Sequence, residues 1–273
     1  MRLPIPVQMD GGLLTDVKVG EVRVDASTAA MREASAGAYY MAVLEWCAGA
    51  AEEMSGPNGE SASTREEVRR AVRAMPFASA WGLACYGMAA TKGSDAIPGS
   101  YPCPKCGSVV TMGPKEEDGD AYDDSDRLYA IDYDVCDDPA SGVTYQLSKP
   151  VEIVRKDTGE VVERVESLSL SWPTLGQCIR AQQRYPDDEG KLTLAVYADS
   201  IVAVNGKQAT PQWKASYGDL TLSRMTTGDL TGLSSALGRY SIGRKVERAC
   251  MKCKNRWEAE LDLSGFFASG LAR

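Results

Sequence analysis

Hydrophobic residues fall along this chain in two rhythms, and the change from one to the other happens twice. Ile5 and Val7 alternate with other residues up to Asp10-Gly11-Gly12, and Val17, Val19, Val22 and Val24 resume on the far side. That is the period-two pattern of a β-hairpin around a glycine turn. Ser27 or Thr28 then offers an N-cap, and Met31, Ala34, Ala38, Met41, Val43 and Leu44 keep roughly helical spacing until Gly56-Pro57-Asn58-Gly59 stops it. Thr64 with Glu67 forms a capping box, which predicts a second helix through Val68 and Val72 toward Met75-Pro76. A third apolar helical stretch over 77–90 holds Trp81, Leu83 and Met88. The glycine- and proline-rich segment 93–102 then leads to Cys103-Pro104-Lys105-Cys106-Gly107, with strand-like Val109, Val110 and Thr111 behind it.

From Tyr145 the pattern begins again. Val151 and Ile153, a turn at Asp157-Thr158-Gly159, and Val161, Val165, Leu168 and Leu170 predict a second hairpin. Pro173-Thr174 starts a helix, with proline at the first turn or just before it. Residues 192–204 predict a further helical stretch ending at Asn205-Gly206, and Thr226 with Asp229 caps another through Leu230, Leu233 and Leu237. Cys250-Met251-Lys252-Cys253 follows, then strand-like residues from Trp257. The spacings agree: Thr28 to Cys103 is 75 residues and Thr174 to Cys250 is 76, while Thr28 to Asn58 is 30 and Thr174 to Asn205 is 31. Shared order and spacing predict an internal duplication. The expected fold is α+β, with two similar halves, 1–112 and 145–273, each a β-hairpin, helices and a Cys-x-x-Cys knuckle, joined by an acidic insert over 113–144.

The two Cys-x-x-Cys pairs carry the candidate chemistry. Two thiolates separated by two residues grip one metal ion from a tight turn, and two such turns complete a tetrahedral zinc site. Related halves would bring Cys103, Cys106, Cys250 and Cys253 to one zinc ion with no open position for water. Such a site is structural rather than catalytic. The redox alternative needs a pair that opens a helix, where the dipole lowers a thiol pKa. Gly107 and the β-branched residues after it are poor helix material. Cys47, Cys85, Cys136 and Cys178 are expected as plain buried or half-buried thiols.

Composition narrows the field further. The chain of 273 residues is 44% hydrophobic, as in a globular protein, and has no apolar run of roughly 18 residues to span a bilayer. Its start lacks the basic-then-apolar layout of a signal peptide, so the expected compartment is a cytoplasm. There is no histidine, which removes His-based triads, His general bases and His-ligated catalytic metals. No GxxxxGK[ST], GxGxxG or GxSxG motif occurs, and no small-molecule substrate or enzymatic activity is expected.

The net charge of −8 disfavours nucleic acid for the chain as a whole. The charge is unevenly placed, however: Glu116 to Asp138 has eleven acids and one base, and Arg239 to Arg256 has seven bases and one acid. Residues 113–125 are expected as an exposed acidic loop, whose acid spacing does not follow a calcium-binding loop, and 128–135 as a loose strand. The basic cluster Arg239, Arg244, Lys245, Arg248, Lys252, Lys254 and Arg256 fits a solvated face, an intramolecular partner for the acidic loop, or a nucleic-acid patch around a zinc knuckle.

The C-terminal part adds a resemblance. Thr226-Thr227-Gly228-Asp229-Leu230 at a helix start, Gly243 after the helix, Cys250-Met251-Lys252-Cys253, and Leu261-Asp262-Leu263-Ser264-Gly265-Phe266-Phe267 resemble the C-terminal part of baseplate and tail assembly proteins of contractile-tailed bacteriophages. The first half is similar in outline, with its valine-rich hairpin ahead of a helix and its own Cys103-Pro104-Lys105-Cys106-Gly107. The resemblance implies a non-enzymatic zinc-bearing protein that builds or sits in a phage tail or baseplate, or a tail assembly chaperone. Other tail or baseplate proteins would be its partners, and the host cytoplasm or the virion its place. The alternative is a zinc-ribbon nucleic-acid-binding or transcription accessory protein.

Overall fold

The computed structural model describes residues 1–9, 12–55, 64–93, 99–112, 133–155, 157–240 and 245–260. Within them the fold is mixed α and β with small antiparallel sheets, as the two hydrophobic periods predict. Strands β1 (Arg2–Met9) and β2 (Gly12–Val19) form the first hairpin. Leu3, Ile5 and Val7 of β1 and Leu14 and Val17 of β2 are all buried. The strand stops at Val19, because period two fails between Val19 and Val22, and Val24 instead begins helix α1 (Val24–Ser35).

Where one helix was expected before Gly56, three elements occur: α1, α2 (Tyr39–Ala50) and strand β3 (Ala51–Ser55). Gly37, with φ of 76°, takes the left-handed conformation that ends α1. Thr28 is not the cap; it lies inside α1 and donates to the Val24 carbonyl at 2.8 Å. Segment Ala51-Glu52-Glu53 would suit a helix, but pairing with β2 draws it into a sheet of order β1-β2-β3. Helix α3 (Arg65–Ala74) carries the expected capping box of Thr64 and Glu67, and α4 (Phe77–Lys92) follows Pro76. Strands β4 (Gly99–Pro102) and β5 (Val109–Met112) form a hairpin around the first cysteine pair.

The second half runs through β6 (Val143–Val154), β7 (Val161–Leu170), α5 (Leu175–Arg184) and α6 (Glu189–Ser200). Thr174 caps α5 through a box with Gln177. The stretch expected as helical to 204 changes at Ile201 into β8 (Ile201–Val204), and Asn205 and Gly206, both at positive φ, turn it into β9 (Lys207–Gln208). Helical segments α7 (Pro211–Trp213), a π turn (Lys214–Gly218), α8 (Asp219–Ser223) and α9 (Thr227–Leu237) follow. The last hairpin is β10 (Lys245–Ala249) and β11 (Arg256–Glu260).

Both halves therefore use one order: hairpin, two helices, a strand that joins the hairpin, further helices and a cysteine hairpin. The likeness extends to hydrogen bonds between residues of unlike type. Each first strand bulges, between Arg2 and Val7 in β1 and between Gln146 and Val151 in β6. The backbone N–H freed there is taken up by the third residue of the half's last long helix. Ile5 donates to the Ser79 hydroxyl at 3.0 Å, and Ser148 donates to the Asp229 carboxylate at 2.8 Å. Likewise, Gly20 N–H bonds the last carbonyl of α2, at Ala50, and Ser171 N–H the last carbonyl of α6, at Ser200, each at 2.9 Å.

The halves share their cores. Leu175 and Ile179 of α5 pack with the first half, while Ile5 and Ala78 pack with the second. Backbone bonds from Phe77 to Pro173 (2.7 Å) and from Leu175 to Met75 (2.9 Å) stitch the seam. A groove of about 230 Å³ lies along it, with Tyr40, Phe77, Trp172, Leu192, Val196 and Leu237 among its walls. The acidic segment expected as an exposed loop over 113–125 lies outside the described residues, as does most of the strand expected over 128–135. Of that strand, Tyr133 to Val135 are irregular. No helix among the described residues is long and apolar enough to cross a membrane.

Candidate metal centre

Each cysteine pair sits in the turn of a two-stranded hairpin, and the two turns are built alike. Cys103 N–H bonds the Ser108 carbonyl at 2.8 Å and Gly107 N–H bonds the Cys103 carbonyl at 2.9 Å. In the second turn Cys250 N–H bonds Asn255 and Lys254 N–H bonds Cys250, both at 2.8 Å. The residue after each second cysteine is left-handed: Gly107 at φ 70° and Lys254 at φ 58°. A shift of 147 residues, Cys103 to Cys250, superimposes every one of these positions. This turn points both thiols of a pair to one side.

The two turns meet. Cys103 Sγ lies 3.6 Å from Cys253 Sγ, and Cys106 Sγ lies 3.6 Å from Cys250 Sγ. All four sulfurs are within 4.8 Å of one another. The first cysteine of one turn thus faces the second of the other in both cases, as a local two-fold relation between the knuckles requires. A disulfide would bring sulfurs to about 2.05 Å. Four thiolates at about 2.3 Å from one ion would stand about 3.8 Å apart. The two separations of 3.6 Å fit edges of such a tetrahedron, and the four cysteines named from the sequence form one cluster that could bind a metal ion.

Cys103 and Cys250 are buried, Cys253 is half-buried and Cys106 is exposed. The amide of Asn255 also approaches Cys103 Sγ, at 4.0 Å. Hydrogen bonds from the Ser108 hydroxyl and backbone, with a bond to Cys253, pull the Cys106 thiol down to about 6. For Cys103, burial works upward, but the backbone N–H groups of Lys105 and Cys106 outweigh it and the thiol is lowered. Cys253 is pushed up to about 12: a bond from the Asn255 backbone works downward, but burial and the three neighbouring sulfurs prevail. The cluster thus has two thiols drawn below their ordinary value and one that holds its proton, which a metal ion would displace.

Neither pair opens a helix, since β5 and β11 follow them. Cys47, Cys85, Cys136 and Cys178 are buried, as expected. Burial raises the thiols of Cys47, Cys85 and Cys178, the last to about 12, and the Cys47 thiol donates to the Ala80 carbonyl at 3.0 Å. The basic cluster is divided. Lys252, Lys254 and Arg256 are exposed on the second knuckle with Lys105 on the first, whereas Arg239 lies against Tyr240 and Arg248 is buried. Arg244 and the side chain of Lys245 lie outside the described residues.

Sequence reasoning passed over Tyr101 and counted Arg248 only as one of the basic cluster; the two stand in contact, the guanidinium 4.6 Å from the ring centroid. Their signal was available, since each lies two residues ahead of the first cysteine of its pair. No family model, no curated protein and no solved structure matches this chain. Thr226 does cap α9 at the start of the segment that carries the phage resemblance, while Gly243 and 261–267 lie outside the described residues.

Proposed function

We propose that the chain is a non-enzymatic structural or assembly protein of a phage tail or baseplate, whose two halves are clipped together by one structural zinc ion. The observation that carries this reading is the convergence of four sulfurs, two from the end of each half, within 4.8 Å. Four soft thiolates gathered this closely suit zinc. They fill its coordination, so the ion holds the fold and activates no water. The tail or baseplate role rests on the residues quoted for the resemblance. Two oppositely charged stretches in one chain suit docking to another tail component, with charge acting on encounter rate.

Two measurements test the two parts. Elemental analysis of the purified protein should give one zinc per chain; two zincs or none would end the shared-site reading. Pull-down from infected cells, with mass spectrometry of purified particles, should recover tail or baseplate proteins, and their association should slow as salt rises. The nucleic-acid alternative draws support from exposed Lys105, Lys252, Lys254 and Arg256 on the knuckles. Recovery of nucleic acid alone, with a steep salt dependence and no tail protein, would favour it.

A further inference from the structure

Four cysteines can pair in three ways. Here they can join within each knuckle, first to first and second to second, or first to second across the seam between the halves. The two sulfur contacts of 3.6 Å, Cys103 to Cys253 and Cys106 to Cys250, are both of the third kind. Each stands about 1.5 Å longer than a disulfide bond, a gap that a small side-chain rotation closes. The cluster is also open to a small oxidant from one side, because Cys106 is exposed and Cys253 half-buried, while Cys103 and Cys250 are buried behind them. Each cross-seam contact thus couples one accessible thiol to one buried thiol.

We infer that the cluster is an oxidation site, which a peroxide converts into two disulfides, Cys103–Cys253 and Cys106–Cys250. The accessible sulfur of Cys106 attacks the peroxide O–O bond, becomes a sulfenic acid and releases water. The Cys250 thiol then displaces the sulfenic hydroxyl, which leaves as a second water once it takes up the thiol proton. Two thiols have lost two electrons and two protons, and one hydrogen peroxide has become two waters. Cys253 and Cys103 react with a second peroxide in the same way. From the zinc-bound form, two peroxides and four protons are consumed, and four waters and the ion are released. The inference extends the zinc reading to its oxidised counterpart but does not need the ion, since the thiols alone make the bridges. Bridges across 150 and 144 residues keep the halves clipped after the metal has gone, whereas bridges inside each knuckle would let them part. A chain that passed from a reducing cytoplasm to an oxidising exterior would exchange a zinc clip for a covalent one.

The test treats the full chain, freed of metal by a chelator, with two equivalents of hydrogen peroxide. Free thiols are then alkylated and the protein is digested with trypsin without reduction. Cleavage after Lys105 and Lys252 falls inside both pairs and leaves each of the four cysteines on its own peptide, so mass spectrometry separates all three pairings. Peptides linked as Cys103–Cys253 and Cys106–Cys250 are expected. In concentrated urea, where short loops close most readily, the same oxidation should favour Cys103–Cys106 and Cys250–Cys253. Within-knuckle bridges from the folded chain, first-to-first bridges, or sulfinic acids without bridges would overturn the inference. The oxidised metal-free chain should also melt higher than the reduced metal-free chain, by about 5 °C or more, and no longer respond to zinc. An oxidised chain that melted lower would overturn the covalent clip. Wild type that binds no zinc refutes the metal reading and leaves the pairing test intact; wild type that binds zinc but pairs otherwise refutes this inference alone.

Discussion

Asp229 shows how a single buried side chain ties two elements together. Its carboxylate accepts from the Ser148 backbone N–H, the Ser148 hydroxyl and the Thr226 hydroxyl, each at 2.8 Å, and so fastens the start of α9 to the bulge of β6. Burial works to raise its pKa, but these donors prevail and hold the carboxyl below its ordinary value. A folded-state pKa below the unfolded one stabilises the fold in full above the ordinary carboxylate range, and the benefit is lost as pH falls through the folded value. Asp229→Ala should cost about 3 kcal/mol at neutral pH, since it leaves buried donors unmet. In urea titrations its deficit against wild type should narrow below about pH 4, where the carboxyl of the unfolded chain begins to take up a proton that the folded carboxylate still refuses. Ser79 does the corresponding work in the first half, bonding both the N–H and the carbonyl of Ile5, and has no charge to lose. The cost of Ser79→Ala should therefore be flat with pH, and a deficit at Ser79 that also shrank on acidification would contradict this account.

At the scale of elements, close approach between helices governs the first half. Gly49 of α2 faces Ala26 of α1, where a Cβ would lie 2.5 Å from the alanine methyl, and a Cβ on Gly87 of α4 would collide with Ala50 of α2. Helix propensity alone would favour alanine at Gly87 by about 1 kcal/mol. Overpacking costs about 1–3 kcal/mol, so Gly87→Ala should instead lower stability. Gly190→Ala on α6 meets nothing closer than 3.5 Å and should raise it slightly. Chemical denaturation of both variants checks the pair of signs. What the chain discloses about its elements follows the same division between local and distant causes. The capping box at Thr64, the Pro173-Thr174 helix start, the glycine turns and the period-two strands are local signals, and they place α3, α5 and both hairpins. Strands β3 and β8 are continuous with the helices before them and exist because β2 and β7 offer them an edge. No local residue announces that, and so both were read as helix. The partners of Ser79 and Asp229 were hidden for the same reason, since a bulge is a property of two strands in register rather than of one.

For the whole molecule, the cysteine knuckles are the long-range contact that could be read beforehand, because Cys-x-x-Cys is a local motif whose chemistry demands a second copy. Paired sulfurs separated by 144 and 150 residues close more than half of the 273-residue chain into a loop. The site cannot exist in the unfolded chain, so metal-binding energy becomes folding energy. With free zinc at a hundred times the dissociation constant, loading should stabilise the protein by about 2.7 kcal/mol, and a chelator should remove that increment. Cys103→Ser and Cys250→Ser should forfeit it equally, because both would be buried ligands of one shared ion. Two independent sites would instead leave each variant with part of the metal-dependent gain in its melting curve. Acidity should act in the same direction as the chelator. Cys106, drawn down to about 6, is a thiolate at neutral pH and regains its proton as pH falls through that value, while Cys253, pushed up to about 12, must give its proton up to the ion at any ordinary pH. Zinc loading should therefore release protons, and zinc should be lost as pH falls through about 6 and below. An affinity that stayed constant from pH 8 to about pH 5 would mean that the ion is not held by these thiolates.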